Sequence, residues 1–177
     1  MNKCLIAYFS RKGENYVNGQ IVDLPVGNTE VAAKEIQNLT GGDLFCIQPA
    51  KAYAENYRKC VEEAKEELQT GARPELAGRV SDWDAYDTIL LGYPNWCGTM
   101  PMPVWTFLES YDFTGKTILP FCTNEGSGMG HSEADIRKLC PTADLKKGLP
   151  VRGSLANASR AEMAAWLKSD GISVKGY

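Results

Sequence analysis

The sequence predicts an α/β protein: a three-layer, doubly wound sheet of five parallel strands with helices on both faces. Three observations carry that expectation. Short apolar runs recur between turn signals, each apolar at consecutive rather than alternate positions, the mark of a strand covered on both faces. Segments with helical spacing separate them, so strand and helix alternate along the chain, which implies right-handed crossovers in one sheet. At 177 residues the chain suits one domain with a real core and is short for two.

Taken in order, the first strand is Lys3 to Phe9. A helix follows with Asn28 as its cap, Ala32, Ile36 and Leu39 on one face, and Gly41-Gly42 to stop it. The second strand is Asp43 to Ile47. The helix after it, Ala54 to Gln69, sets Tyr57, Val61, Ala64 and Leu68 at helical spacing and leaves Glu62, Glu63, Glu66 and Glu67 facing water or an acidic-patch partner. The third strand, Thr88 to Tyr93, leads to Pro101 and Pro103, which open a helix carrying Val104, Phe107, Leu108 and Tyr111. The fourth strand is Thr117 to Cys122, followed by Ser132 and Asp135 at capping-box spacing. Leu145 to Val151, broken by Gly148 and Pro150, is the weaker fifth strand. Ser159 and Glu162 then repeat the capping-box spacing ahead of Met163, Trp166 and Leu167, with Gly171 as the stop. The one anomaly is the long connection Arg11 to Val26, where a few residues would do; such connections are functional or mobile.

Composition excludes several classes of function. Hydrophobic residues make up 44% and charged residues 23% of the chain, and no apolar run approaches the roughly 20 residues of a membrane span. The starting segment MNKCLIAYFSRKG has too short an apolar stretch for a signal peptide and no small-residue cleavage site, so a cytoplasmic protein without membrane attachment is expected. A net charge of −3 offers no basic field for nucleic acid. The six cysteines form no C-x-x-C pair and read as reduced thiols, with Cys4, Cys46 and Cys122 expected to be buried as small hydrophobes.

In a doubly wound sheet, ligands bind beyond the carboxyl ends of the strands, where strand order reverses. After the first strand stand Phe9 and Ser10, then Gly27, Asn28, Thr29 and Glu30 at a helix start. A hydroxyl beside free helix N–H groups suits a phosphate; a plain asparagine cap is the alternative. After the third strand, GYPNWCGTMP places Trp96 among Pro94, Asn95, Cys97, Gly98 and Pro101. A flat ring on a fixed loop suggests stacking on a planar ligand, the alternative being a Trp folded onto the next helix or into a subunit contact. After the fourth strand, Thr123, Asn124, Glu125, Gly126, Ser127 and Gly128 allow close backbone approach to a ligand, or form a merely flexible loop.

Other motifs fail on spacing or context. Gly115-Lys116-Thr117 imitates a P-loop, but Ser110 occupies the first glycine position and a strand follows. Gly126, Gly128 and Gly130 lack dinucleotide spacing, and Ser127 lacks the glycines of a hydrolase elbow. His131 is the only histidine, which excludes multi-histidine metal sites. It is a solvated loop residue or a proton donor. Nothing near Cys97 in sequence clearly lowers its thiol pKa.

Phe9-Ser10 with GNTE at Gly27 to Glu30, YPNWCGTMPMPVWTFLE from Tyr93 to Glu109, and TNEGSG from Thr123 follow successive strands. Together they resemble the flavodoxin family, and more narrowly a bacterial branch with an insert in the phosphate loop; the likeness covers nearly the whole chain. The resemblance implies an FMN-binding domain. Ser10, Asn28 and Thr29, with the Gly27 backbone, would hold the phosphate without an obligatory lysine or arginine. Pro94, Asn95, Trp96, Cys97 and Gly98 would form the first isoalloxazine loop, with Trp96 on or beside the ring and the Cys97-Gly98 backbone near N5. Thr123, Asn124, Glu125, Gly126, Ser127 and Gly128 would follow the pyrimidine edge.

Such a chain would act in electron transfer with a redox partner protein, as a monomer or weak dimer, and no side chain need be catalytic. The alternative is an NAD(P)H-dependent reductase of quinones or similar small acceptors, and a third reading is a regulatory domain without flavin. Two departures weaken the carrier reading more than the FMN reading. Thr123 to His131 contains no second aromatic, so either Tyr16 in the insert replaces it or that flavin face is open to a substrate. The charge is also mild for a carrier that docks on basic partners.

Overall fold

The computed structural model describes residues 3–176. Strand β1 (Lys3–Tyr8) lies between β4 (Asp43–Cys46) and the central strand β5 (Tyr86–Pro94), and β6 (Thr117–Asn124) follows beyond β5. All these pairs are parallel. A fifth lane beside β6 is filled by two short parallel strands, β7 (Asp144–Leu145) and β8 (Leu149–Arg152). The expected fifth strand is thus divided. Between its halves the Gly148 amide leaves the ladder to donate to Glu133 Oε2 at 2.9 Å. Pro150, which has no N–H to offer, sits on this outer edge, where a strand proline is tolerated.

Alternation along the buried strands builds two cores. Leu5, Ala7, Ile89, Leu91 and Ile118 face α3 (Met102–Glu109) and α4 (Ser132–Leu139), through Val104, Phe107 and Ile136. Ile6, Tyr8, Leu90, Leu119 and Phe121 face α1 (Asn28–Thr40) and α5 (Arg160–Ser169), through Ala32, Ile36, Met163 and Leu167. Each such fully buried aliphatic side chain contributes about 1.5–3 kcal/mol, which explains why the strands are apolar at consecutive positions. No helix among the described residues is long and apolar enough to cross a membrane.

Several local expectations are corrected. Helix α1 begins at Asn28 itself, with Gly27 in the cap position and no side chain capping from there. Helix α2 (Tyr57–Thr70) begins later than Ala54, because the Asn56 side chain accepts the Lys59 amide at 3.0 Å. It packs shallowly: Cys60 and Ala64 are buried, whereas Leu68 is 36% exposed. Tyr111 lies beyond α3, where its ring stacks on Trp83 at 4.5 Å and its hydroxyl accepts the Val80 amide.

Neither capping box forms. The Ser132 hydroxyl donates to the Met129 carbonyl, while Asp135 accepts from Thr99. The Ser159 hydroxyl donates to the Leu155 carbonyl in the 3-10 turn Gly153–Ala158. All six cysteines are free thiols; Cys122 is buried, but Cys4 is only partly so and Cys46, at the end of an edge strand, is exposed.

The connection Arg11 to Val26 is an antiparallel hairpin, β2 (Gly13–Val17) and β3 (Gln20–Leu24). Asn18 (φ 51°) and Gly19 (φ 81°) form its two-residue turn, the backbone that Asn-Gly favours because both positions need positive φ.

Gly92 tests the packing between the layers. A Cβ there would stand 2.2 Å from Cζ of Phe121, which is fully buried. Gly92→Ala is expected to lower stability by about 2 kcal/mol or more in urea unfolding; an unchanged midpoint would mean that the Phe121 ring moves aside freely.

Candidate functional site

The first wall of the site is the start of α1. Gly27 presses against the end of β1 so closely that a Cβ would meet Ser10 Oγ at 2.2 Å and the Arg11 carbonyl at 2.6 Å. Ser10 Oγ accepts the Glu30 amide at 3.0 Å, and the Val31 amide closes the first helical turn onto the Gly27 carbonyl. Among the described residues this leaves the amides of Asn28 and Thr29 as the unfilled donors of the helix start, where the dipole favours an anion.

The second wall is the tryptophan loop. Trp96 and Thr99 exchange backbone hydrogen bonds of 2.9 and 3.2 Å around a two-residue turn. Its centre is Cys97 (φ 56°) and Gly98 (φ 85°), so a cysteine is held in a conformation that costs a non-glycine residue about 1 kcal/mol. The Asn95 side chain fixes the loop. Its Oδ1 accepts the Gly98 amide and its Nδ2 donates to the Gly128 carbonyl, both at 3.0 Å. Trp96 is half-buried, its ring nearly perpendicular to those of Phe9 and Tyr53, with centroids 5.1 and 5.0 Å away.

The third wall is the loop after β6. The Thr123 and Thr29 hydroxyls are 2.7 Å apart in a buried contact that ties this loop to α1. The His131 amide donates to the Gly98 carbonyl at 2.6 Å. Gly130 (φ 56°) permits that contact, since a Cβ there would lie 2.2 Å from the same carbonyl oxygen. Tyr93, buried under the loop, donates to Ser132 Oγ at 2.9 Å, and burial pushes its phenol well above the ordinary tyrosine range. Glu125 Oε1 accepts the Ser154 amide, while its buried Oε2 has no hydrogen-bond partner among the described residues.

These walls enclose a cleft of about 310 Å³. Of the sequence candidates, Asn28, Thr29, Pro94, Asn95, Trp96, Thr123, Asn124, Glu125 and Ser127 line it. The others do not. Ser10 and Gly27 shape the helix start behind it, and Gly98 and Gly128 are held in contacts between loops. Gly126 makes a turn in which its amide donates to Asn124 Oδ1. Cys97 faces an adjoining cavity of about 150 Å³ with Cys60, Val61 and Ala64.

Four further lining residues, Arg11, Asn15, Tyr57 and Gly153, escape the sequence reading; Tyr16, foreseen as an alternative, joins them. Arg11 donates to the carbonyls of Glu14, Ala54 and Glu55, and Glu14 accepts the Tyr57 amide, so the hairpin is fastened to the start of α2. The Asn18-Gly19 pair between alternating residues is the signal that could have revealed this wall.

The cleft has two distinct ends. Asn28 and Gly153 also border a recess with Val17, while Arg11, Asn15, Tyr57 and Trp96 also border the adjoining cavity. One end offers helix amides to an anion and the other offers rings to a planar group. Gly130→Ala is expected to lower stability by about 2 kcal/mol and to separate the two loops, seen as amide shift changes at residues 95–99; unmoved amides would show that the Gly98 contact is dispensable.

Comparison with known proteins agrees with this layout. The sequence model of the flavodoxin family matches residues 3–170. No curated protein matches the chain. A candidate flavoprotein from Bacteroides eggerthii DSM 20697 is 28% identical, with a TM-score of 0.78 over 96% of this chain and 98% of its own. Another, from Bacteroides uniformis ATCC 8492, is 30% identical, with a TM-score of 0.75 over 94% and 98%. A flavoprotein from Lactobacillus acidophilus NCFM, solved in complex with FMN, shares the fold at 20% identity and a TM-score of 0.64 over 89% and 98%. With a match from β1 to the end of α5, a cleft at the carboxyl ends of β1, β5 and β6, and the sheet order of which flavodoxin is itself the standard example, the chain belongs to the flavodoxin family.

Proposed function

We propose that the chain binds FMN in this cleft and serves electron transfer between a reduced donor and an acceptor protein, as a monomer or weak dimer in the cytoplasm. The observation that carries the reading is the convergence on one cleft of an open helix start, a half-buried tryptophan and a small polar loop. Family membership and the FMN complex of the Lactobacillus neighbour support it. The residues fit the group: the amides of Asn28 and Thr29 suit its phosphate, Trp96 suits its ring, and Glu125, whose buried Oε2 has no hydrogen-bond partner among the described residues, stands in the same lining.

Bound FMN supplies the redox chemistry; the protein supplies binding, orientation and the surrounding charge. Ser10 Oγ, by accepting the Glu30 amide, fixes the start of α1 from behind the cleft. Trp96, packed against Phe9 and Tyr53 with the ring planes nearly perpendicular, is held in a fixed position that costs little entropy to use. Tyr16, 48% exposed and lining the cleft from the hairpin, is placed to supply the aromatic that the loop after β6 lacks. The Asn95 link and the Gly98–His131 contact keep the ring-side backbone rigid. No side-chain proton transfer is required.

The adjoining cavity favours a second reading, an NAD(P)H-dependent reductase of quinones or similar small acceptors. It shares Trp96 with the cleft, has Val61 and Ala64 in its wall, and is of single-ring size.

FMN fluorescence should quench on titration with apoprotein, and Trp96→Ala should weaken binding about 2- to 10-fold, the range of a lost aromatic stack. Absence of FMN binding would overturn both readings. An anaerobic absorbance titration separates them: two resolved one-electron steps with dithionite and no reduction by NAD(P)H mark the carrier, while direct bleaching by NADPH or NADH marks the reductase.

A further inference from the structure

The anion end of the cleft does not stop at the start of α1. Asn28 and Gly153 border a second recess, of about 280 Å³, that Trp96 does not reach. Val17 and Leu24 come to it from the hairpin, Val31 from α1, and Ala156 from the 3-10 turn Gly153–Ala158. Val17 and Leu24 share a face of the hairpin with Asn15, which lines the cleft, so one surface bounds both spaces.

The chemistry of the recess differs from that of the cleft. No charged side chain lines it, so neither a further anion nor a cation finds a partner there. Its apolar surface is aliphatic, from Val17, Leu24 and Val31. Its polar side chains include the amides of Asn18, Asn28 and Asn157, and none of these three makes a side-chain hydrogen bond among the described residues. An amide offers a donor and an acceptor together, the pattern that the edge of adenine presents in return. The recess therefore suits a neutral, flat base with apolar faces and a polar edge. Size agrees, at 280 Å³ against 150 Å³ for the single-ring cavity beside Trp96.

Position says how such a base arrives. A phosphate on the amides of Asn28 and Thr29 has the ring end of the cleft on one side and this recess on the other. A ligand that ends at the phosphate leaves the recess to water. One extended by a second phosphate and a nucleoside carries its base into it.

We propose that cleft and recess together form a site for flavin adenine dinucleotide, FAD, with the flavin half in the cleft and the adenosine half in the recess beside the hairpin. The inference rests on the FMN reading above and adds a second ligand that the same helix start can hold. The recess contains no carboxylate to repel the second phosphate.

The test measures dissociation constants of FMN and FAD by isothermal titration calorimetry of the apoprotein, with wild type, Val17→Trp and Asn157→Ala, each checked for native circular dichroism. Val17→Trp fills the recess from a residue that does not line the cleft. Wild type should bind FAD at least as tightly as FMN. Val17→Trp should weaken FAD about tenfold or more and leave FMN within about twofold. Asn157→Ala should weaken FAD about three- to tenfold with FMN unchanged, and decides the matter if the tryptophan variant does not fold. AMP should not bind the FMN-loaded wild type; binding that Val17→Trp removes would overturn the proposal by making the recess a separate nucleotide site. A wild type that binds FAD more weakly than FMN, or variants that change the two affinities alike or not at all, would also overturn it. Failure of wild type to bind either flavin would instead overturn the FMN reading itself.

Discussion

The amide of Asn95 spans the gap between two loops that leave different strands. It accepts from the Gly98 amide with one atom and donates to the Gly128 carbonyl with the other. Neither loop has a regular ladder of its own to hold it. The tryptophan turn is closed by the exchange between Trp96 and Thr99, and the later loop approaches it through the Gly98–His131 contact that Gly130 allows. Without a two-sided connector the turn would pivot on its short closure and the ring of Trp96 would lose its bearing on the cleft. The buried Thr29–Thr123 contact does the same service for the anion end. A few short-range polar links thus convert three independent strand ends into one surface.

Those links work because the sheet beneath is stiff. Residues of β1, β5 and β6 are buried on both faces, alternately against α3 and α4 and against α1 and α5. The carboxyl ends of these strands therefore emerge at fixed spacing, with β5 between its two neighbours. The reversal of strand order between β1 and β5 puts an open helix start beside a ring-bearing loop. Few charges are needed to bind an anion there, since the helix supplies oriented amides and Arg11 is already partly engaged with backbone carbonyls.

Legibility in the sequence follows the range of the interaction. The strands are readable because double burial leaves an apolar mark on every position, and the ligand-side loops because they follow those strands. Caps are less readable, since a distant group can fill the same vacancy: Ser10 serves the start of α1 from another element, and Ser132 is drawn to Tyr93 and Met129 instead of a helix amide. Cys46 belongs to an apolar run yet is exposed because its strand forms the edge of the sheet. Arg11, Asn15, Tyr57 and Gly153 reach the cleft only through tertiary placement. Glu125 is visible as a loop residue, but its half-satisfied carboxylate depends on the Arg152-Gly153-Ser154 segment meeting it from the last strand.

The hairpin leaves and rejoins the fold at a single point, because Gly27 packs directly on Ser10 and Arg11. Its ends are already closed by the host, so lengthening it costs only about 0.6 kcal/mol per doubling in chain entropy. It is a replaceable module. The turn at Asn18-Gly19 can lengthen while the Glu14 contact to the Tyr57 amide and the Ser10 contact to the Glu30 amide stay in place.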